Sequence, residues 1–250
     1  MRVYWTLARR ELGAYLLSWT GYIIIAAALF LMGFSFVILL LKLQQEPTPM
    51  PITELFYITQ FFWLIILLAA PVITMRLFAL EKFSGTYETL MTTPVSDLQV
   101  VLAKFTAALI FYFLMWLPLL GCIFVVQYFN HDTAAFDAGT VSSTFLGILL
   151  LGGLFISLGC CASALTRSQV AAAMMGLAFG ATVFLLGFVA DKAPNPGSWQ
   201  GQVASCFTLF DQMHDFARGV IDTRPVVLLT SLTLFFLFLT LRIVESRRWK

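Results

Sequence analysis

Residues 21–41 read GYIIIAAALFLMGFSFVILLL, a run without a single charged side chain. At about 1.5 Å per helical residue, roughly 20 residues cross the ~30 Å hydrocarbon core of a bilayer, so the run has the length and polarity of a transmembrane helix. It is longer than the apolar region of about 7–15 residues in a cleaved signal peptide, and no small-x-small cleavage pattern follows it. Five further stretches qualify, which places the spans at about 20–41, 55–76, 105–129, 141–165, 170–190 and 225–243. None shows the alternation of barrel strands, and each is far longer than one. The whole chain agrees: of its 250 residues 60% are hydrophobic and 11% charged, and the mean hydropathy is +0.90. An ordinary soluble domain is about 25% charged. A free soluble enzyme, a disordered chain and a disulfide-stapled secreted module are excluded. The fold class is all-α membrane protein: six transmembrane helices in a single domain over 1–250.

Basic residues concentrate on the cytoplasmic side of membrane proteins. With the N-terminus inside, eleven fall inside: Arg2, Arg9, Arg10, Arg76, Lys82, Lys104, Arg167, Arg242, Arg247, Arg248 and Lys250. Four fall outside: Lys42, Lys192, Arg218 and Arg224. Five acids lie inside (Glu11, Glu81, Glu88, Asp97, Glu245) and eight outside. Both termini are therefore expected in the cytoplasm. The total of +2 is too small to argue for a nucleic-acid partner.

Four segments outside the spans do more than connect. Residues 1–19 place Val3, Tyr4, Leu7, Ala8, Leu12 and Tyr15 on one face, with Arg9, Arg10 and Glu11 towards the other. This predicts an amphipathic helix on the cytoplasmic interface, with Trp5 and Trp19 at headgroup depth. Residues 77–104, LFALEKFSGTYETLMTTPVSDLQVVLAK, form the one sizeable cytoplasmic loop, interrupted by Gly85 and Pro94. A connecting hairpin needs only about 2–8 residues, so a docking surface for a cytoplasmic partner is expected. Ser96 and Gln99 have capping-box spacing for the helix into the third span. Residues 191–224 open with the turn-rich DKAPNPG and continue as an outer interfacial helix at about 199–220. Its apolar face is read as Val203, Phe207, Phe210, Met213, Ala217 and Val220, its polar side as Gln202, Asp211, Asp215 and Asp222. The outer loop at 42–54 is short and stiffened by Pro47, Pro49 and Pro51.

Chemistry in the spans is sparse. Their centres carry no ionisable residue, which argues against a proton- or sodium-coupled transporter. Cys122, Cys160, Cys161 and Cys206 contain no C-x-x-C pair, so neither a metal cage nor a disulfide framework is suggested. The pairs His131-Asp132 and His214-Asp215 have no spacing that forces a metal site, and Ser157, Ser163 and His214 make no plausible catalytic group. No phosphate-binding glycine loop is present, so if the protein moves something, the energy is expected to come from elsewhere. Gly176 and Gly180, four apart in the fifth span, and Gly147, Gly152, Gly153 and Gly159 in the fourth allow close helix approach, within one subunit or across a dimer. Pro71 and Pro118 are expected to kink the second and third spans.

Residues 71–105, PVITMRLFALEKFSGTYETLMTTPVSDLQVVLAKF, resemble the permease subunits of type-2 (ABC-2) ABC exporters. The pattern E-[KR]-x-x-G-T-x-E-x-L-x-x-x-P-[VL]-S of their first cytoplasmic loop is met by Glu81, Lys82, Gly85, Thr86, Glu88, Leu90, Pro94, Val95 and Ser96. Residues 8–23 and 215–249 are similar to the gliding-motility, GldF-like branch, although Thr20-Gly21 stands where that branch often has proline before the tyrosine. The resemblance implies a six-helix permease in the bacterial cytoplasmic (inner) membrane, serving export or mechanotransmission. It implies a second permease copy or a similar permease, two copies of a cytoplasmic ABC ATPase, and room for an outer-surface or periplasmic component. A short coupling helix would dock the ATPase, with the interface at Glu81, Lys82, Phe83, Gly85, Thr86, Tyr87, Glu88, Leu90, Pro94 and Ser96. The subunit itself would be no enzyme and hold no cofactor, ATP and Mg being bound by the partner. The rival readings are an ATP-independent secondary transporter and a membrane scaffold or assembly protein.

Overall fold

The computed structural model describes residues 2–45, 56–57, 59–86, 95–130, 138–191 and 208–248. Helices account for nearly all of them, and no strand occurs among the described residues. In chain order they are α1 (Arg2–Leu16), α2 (Trp19–Gln45), α3 (Gln60–Thr74), α4 (Ala79–Ser84), α5 (Asp97–Trp116), α6 (Pro118–Asn130), α7 (Ala138–Leu165), α8 (Gln169–Asp191), α9 (Leu209–Ala217) and α10 (Thr223–Arg248). Six helical stretches are long and apolar enough to cross a membrane: 19–41, 60–84, 97–125, 138–165, 169–187 and 223–246.

The fourth span organises the bundle. In α7, 83% of the apolar stretch is buried, against 22% of the first span and 17% of the last. α7 touches α3, α5, α8, α9 and α10. Lipid tails are as apolar as leucine, so helices in a membrane associate through close packing and interhelical hydrogen bonds. The composition of α7 answers that requirement. A methyl added at Gly152 would run into the Tyr112 ring of α5, and one at Gly159 into the Thr74 side chain of α3. Gly176 and Gly180 of α8 face into the same subunit. A Cβ on Gly176 would lie 3.5 Å from Pro71, and one on Gly180 would lie 3.2 Å from Phe155 and 3.3 Å from Leu67.

The two prolines sit differently. Pro71 lies inside α3, which ends three residues later. The third span is interrupted at Leu117, where α5 stops and Pro118 opens α6. Proline lacks the N–H that a continuing helix uses and fits the first turn of a new one. The third span also begins well before the apolar run that marks it in the sequence, at Asp97. Ser96 supplies the start: its Oγ accepts from the Gln99 N–H at 3.4 Å.

At the end of the bundle opposite the 77–104 loop, α9 lies against α7. Its buried residues are Leu209, Gln212, Met213, Phe216 and Ala217, and Phe210 packs at a tilt against Trp63 (4.3 Å) and Phe184 (5.4 Å). The inward stripe therefore shares Phe210, Met213 and Ala217 with the face read from the sequence, while Val220 is 57% exposed. The cause is local. Gly219 has φ +87°, and the Gly219 and Val220 N–H groups bond back to the Phe216 and Asp215 carbonyls at 3.2 and 2.9 Å. This double closure stops the helix before Val220 can join its face. Asp222 belongs to the next element, since its Oδ1 accepts the Arg224 N–H at 3.1 Å at the start of α10. Val203, Phe207, Gln202, the turn-rich 192–197, the prolines at 47, 49 and 51, Cys206, and His131 with Asp132 lie outside the described residues.

Candidate functional site

The loop end of the bundle gathers α1, α4, the first turns of α5 and the end of α7 around one buried cation. Lys104, in the second turn of α5, is 2% exposed. Its Nζ donates to Glu81 Oε1 of α4 at 2.7 Å and to Glu11 Oε1 of α1 at 3.2 Å, and it lies 5.5 Å from the centroid of the Phe78 ring. Arg10 closes the cluster from the rim, 2.8 Å from Glu11 Oε1 and 3.6 Å from Glu81 Oε1. Two carboxylates face two cations, so the group is neutral as a whole. A buried charge is tolerated only on that condition. Glu81 Oε2 is buried with no hydrogen-bond partner among the described residues.

The electrostatics follow from this packing. Burial pushes the Glu11 carboxyl upward, but the Lys104 ammonium and the hydrogen bond and charge of Arg10 outweigh it, leaving the group below the ordinary carboxylate value. The Arg10 guanidinium is raised, mainly by its hydrogen bond to Glu11, against a smaller loss from burial. The N-terminal helix is thus tied into the bundle by its inner face. The sequence places Glu11 towards the polar side with Arg9 and Arg10, yet its carboxylate turns inward to meet Lys104. Tyr4 pairs its hydroxyl with Thr106 Oγ1 at 2.7 Å. Tyr15 donates to the Ile73 carbonyl at 2.8 Å and stacks on Phe111 at 5.0 Å. The opposite side of α1 stays open, with Trp5 62% exposed. At the unusual Thr20-Gly21 position, Thr20 Oγ1 accepts from the Arg76 guanidinium.

α4 is mounted on α7. The chain breaks its helix between Thr74 and Ala79 while still inside the bundle, where Leu77, Phe78 and Ala79 are at most 2% exposed. Backbone groups freed there need partners, because an unpaired buried amide costs about 1–3 kcal/mol. Ser163 supplies them: its Oγ accepts from the Phe78 N–H at 3.1 Å and the Ala79 N–H at 3.2 Å, and donates to the Met75 carbonyl at 3.4 Å. In return Lys82 Nζ donates to the Ala164 carbonyl, one of the unpaired carbonyls at the end of α7. Each helix end is capped by the other helix.

From this mount the tip of α4 projects. Phe83 is 77% exposed, Ser84 and Thr86 are exposed and share a hydrogen bond at 2.8 Å, and Gly85 ends the helix at φ +75°. Of the residues singled out from the sequence, Glu81, Lys82, Phe83, Gly85 and Thr86 are brought together on α4 and its cap. Ser96 stands apart, at the head of α5. Tyr87, Glu88, Leu90 and Pro94 lie outside the described residues. Glu11 and Ser163 enter the site without having been marked for it. Glu11 is a lone acid in a basic helix, a signal for a buried counter-charge. Ser163 carries no comparable signal, since a serine in a small-residue span reads as packing. Among the described residues, no three of His, Cys, Asp and Glu gather where a metal ion could sit.

The family model described as ABC-2 family transporter protein matches residues 41–242. No curated protein matches the chain. The matched region takes in four complete spans, most of the last one and the whole α4 mount, well over half of the sequence. On that match, the chain belongs to the ABC-2 transporter family and is a multi-pass membrane permease component of an ABC transporter.

Proposed function

We propose that this permease is driven by a separate cytoplasmic ABC ATPase that docks on the tip of α4, and that it serves export or mechanotransmission across the bacterial inner membrane. The observation that carries the reading is the contrast within α4. Its first residues are fixed in the bundle by Ser163 and the Lys104 cluster, while Phe83 offers a large apolar side chain, 77% exposed, beside polar Ser84 and Thr86. Docking can move the spans only through a stiff element whose contacts differ between the nucleotide states of the partner. A connecting turn would need neither a buried charge cluster nor reciprocal caps.

The distribution of basic residues supports a cytoplasmic position for α1, α4 and both termini. Glu88, Leu90 and Pro94 extend the interface along the loop, and Gly85 lets the chain turn into it. The second permease, a copy of this chain or a similar one, packs on the apolar surface that the bundle leaves open; Gly176 and Gly180 face inward and belong to internal packing. The likeness of residues 8–23 and 215–249 to the GldF-like branch supports a role for an outer-surface or periplasmic component. ATP and Mg are held by the partner, and this subunit performs no catalysis of its own.

The test is purification with the ATPase expected from a neighbouring reading frame, recognisable by its G-x-x-x-x-G-K-[ST] loop. Glu88→Arg is expected to weaken complex assembly and to lower ATP hydrolysis by the complex at least tenfold. If both are unaffected, the docking assignment is wrong.

A further inference from the structure

The docking of an ATPase on α4, on which this inference rests, leaves open which helix carries the motion away. α3 is joined to α4 by the chain, but through the broken turn at 75–78. α7 is joined to α4 by side chains that grip both sides of that turn: Ser163 holds the Met75 carbonyl on one side and the Phe78 and Ala79 N–H groups on the other, and Lys82 holds the Ala164 carbonyl.

The far end of α7 is fastened in the same manner. Ser143 Oγ donates to the Phe216 carbonyl at 2.6 Å, at the C-terminal end of α9, while Thr144 Oγ1 donates to the Thr140 carbonyl of its own helix at 2.7 Å and stands 3.5 Å from the same Phe216 oxygen. That carbonyl also receives the Gly219 N–H at 3.2 Å. The fit is tight: a Cβ on Gly147 would stand 3.0 Å from the Phe216 side chain, and one on Gly219 would stand 3.0 Å from Thr140 Oγ1. From Ser143 to Ser163 the helix runs unbroken for about 30 Å. Along that length it is the most enclosed of the spans, and proline, which lies inside α3 and at the break of the third span, does not occur in it.

We infer that α7 is a strut that transmits displacement of the ATPase-docked α4 to α9 at the outer face, with Ser163 and Ser143 as the positioning residues at its two ends. The delivered motion reaches a helix whose outer surface presents Asp211 and, just beyond its end, Val220 and Ile221, which are 57% and 56% exposed. α9 is thereby the working part that faces a cargo or an outer component, and the remaining spans follow α7 through its glycine contacts.

The experiment is hydrogen–deuterium exchange of the permease–ATPase complex in nanodiscs, with and without ATP plus vanadate. In the unaltered complex, nucleotide trapping is expected to change exchange severalfold both at residues 77–86 and at residues 209–218. Ser163→Ala is expected to keep the complex assembled and the response at 77–86, and to abolish the response at 209–218. Ser143→Ala with Thr144→Val cuts the other fastening and is expected to do the same. Should Ser163→Ala fail to assemble, this second variant decides the matter, because it touches no contact at the loop end. A full response at 209–218 in the deciding variant, or none in the unaltered complex, overturns the strut. A complex without any response at 77–86 overturns the docking of the ATPase on α4 instead.

Discussion

Lys104 is the side chain whose loss is expected to be felt most widely. Removing one member of a buried ion pair leaves the others uncompensated, which costs about 3–5 kcal/mol. Lys104→Met should therefore lower the unfolding temperature of the permease in detergent strongly. Adding Glu11→Gln and Glu81→Gln to that variant should recover part of the loss, since the stranded charges are then gone. Glu11 adds a pH signature. Its carboxyl is lower in the folded protein than the ordinary 4.5, so its contribution to stability is complete above that value and is lost as pH falls through the lower folded one. Thermal unfolding measured from pH 6 downward should show the native protein losing stability more steeply below about 4.5 than Glu11→Gln. Parallel curves would remove Glu11 from the cluster.

At the scale of elements, the glycines of the fourth span separate packing from propensity. Gly159→Ala drives a methyl into Thr74 and is expected to cost about 1–3 kcal/mol, as overpacking does. Gly13 in α1 has nothing within 4 Å of a new Cβ, so Gly13→Ala is expected to stabilise by about 0.5–1 kcal/mol through helix propensity. Unfolding of both variants in one detergent checks the pair, and equal signs would contradict the assignment of α7 as the packing hub. The helices themselves were legible in the sequence because a span announces itself by length and hydropathy. Their ends were less so. The third span starts at Asp97 because Ser96 caps it, ahead of the first long apolar run, and α9 stops at Ala217 because Gly219 adopts a positive φ. Both are decisions of backbone hydrogen bonding that hydropathy does not encode. The candidate site was legible as a stretch, around Glu81 to Ser96, and illegible as an assembly. Nothing in the order of residues shows that Glu11, Lys104 and Ser163, up to 152 positions apart, meet at one helix end.

The whole molecule reads as two functional ends joined by an enclosed helix. The loop end combines a neutral buried cluster, reciprocal helix caps and an exposed apolar tip. The opposite end carries α9, pinned to the same helix by the Ser143 hydroxyl. The low charge content that places the chain in a membrane also sets off the site, where Lys104 pairs with Glu11 and Glu81. The central claim is that the tip of α4 is where an ATPase docks, and a photoreactive amino acid placed at Phe83 tests it most directly. In the purified permease–ATPase complex, illumination is expected to cross-link position 83 to the ATPase, while the same probe at Phe124, which is 65% exposed on the third span, gives no such product. A complex that co-purifies intact but yields no ATPase cross-link at position 83, or yields as much at 124, would contradict the account.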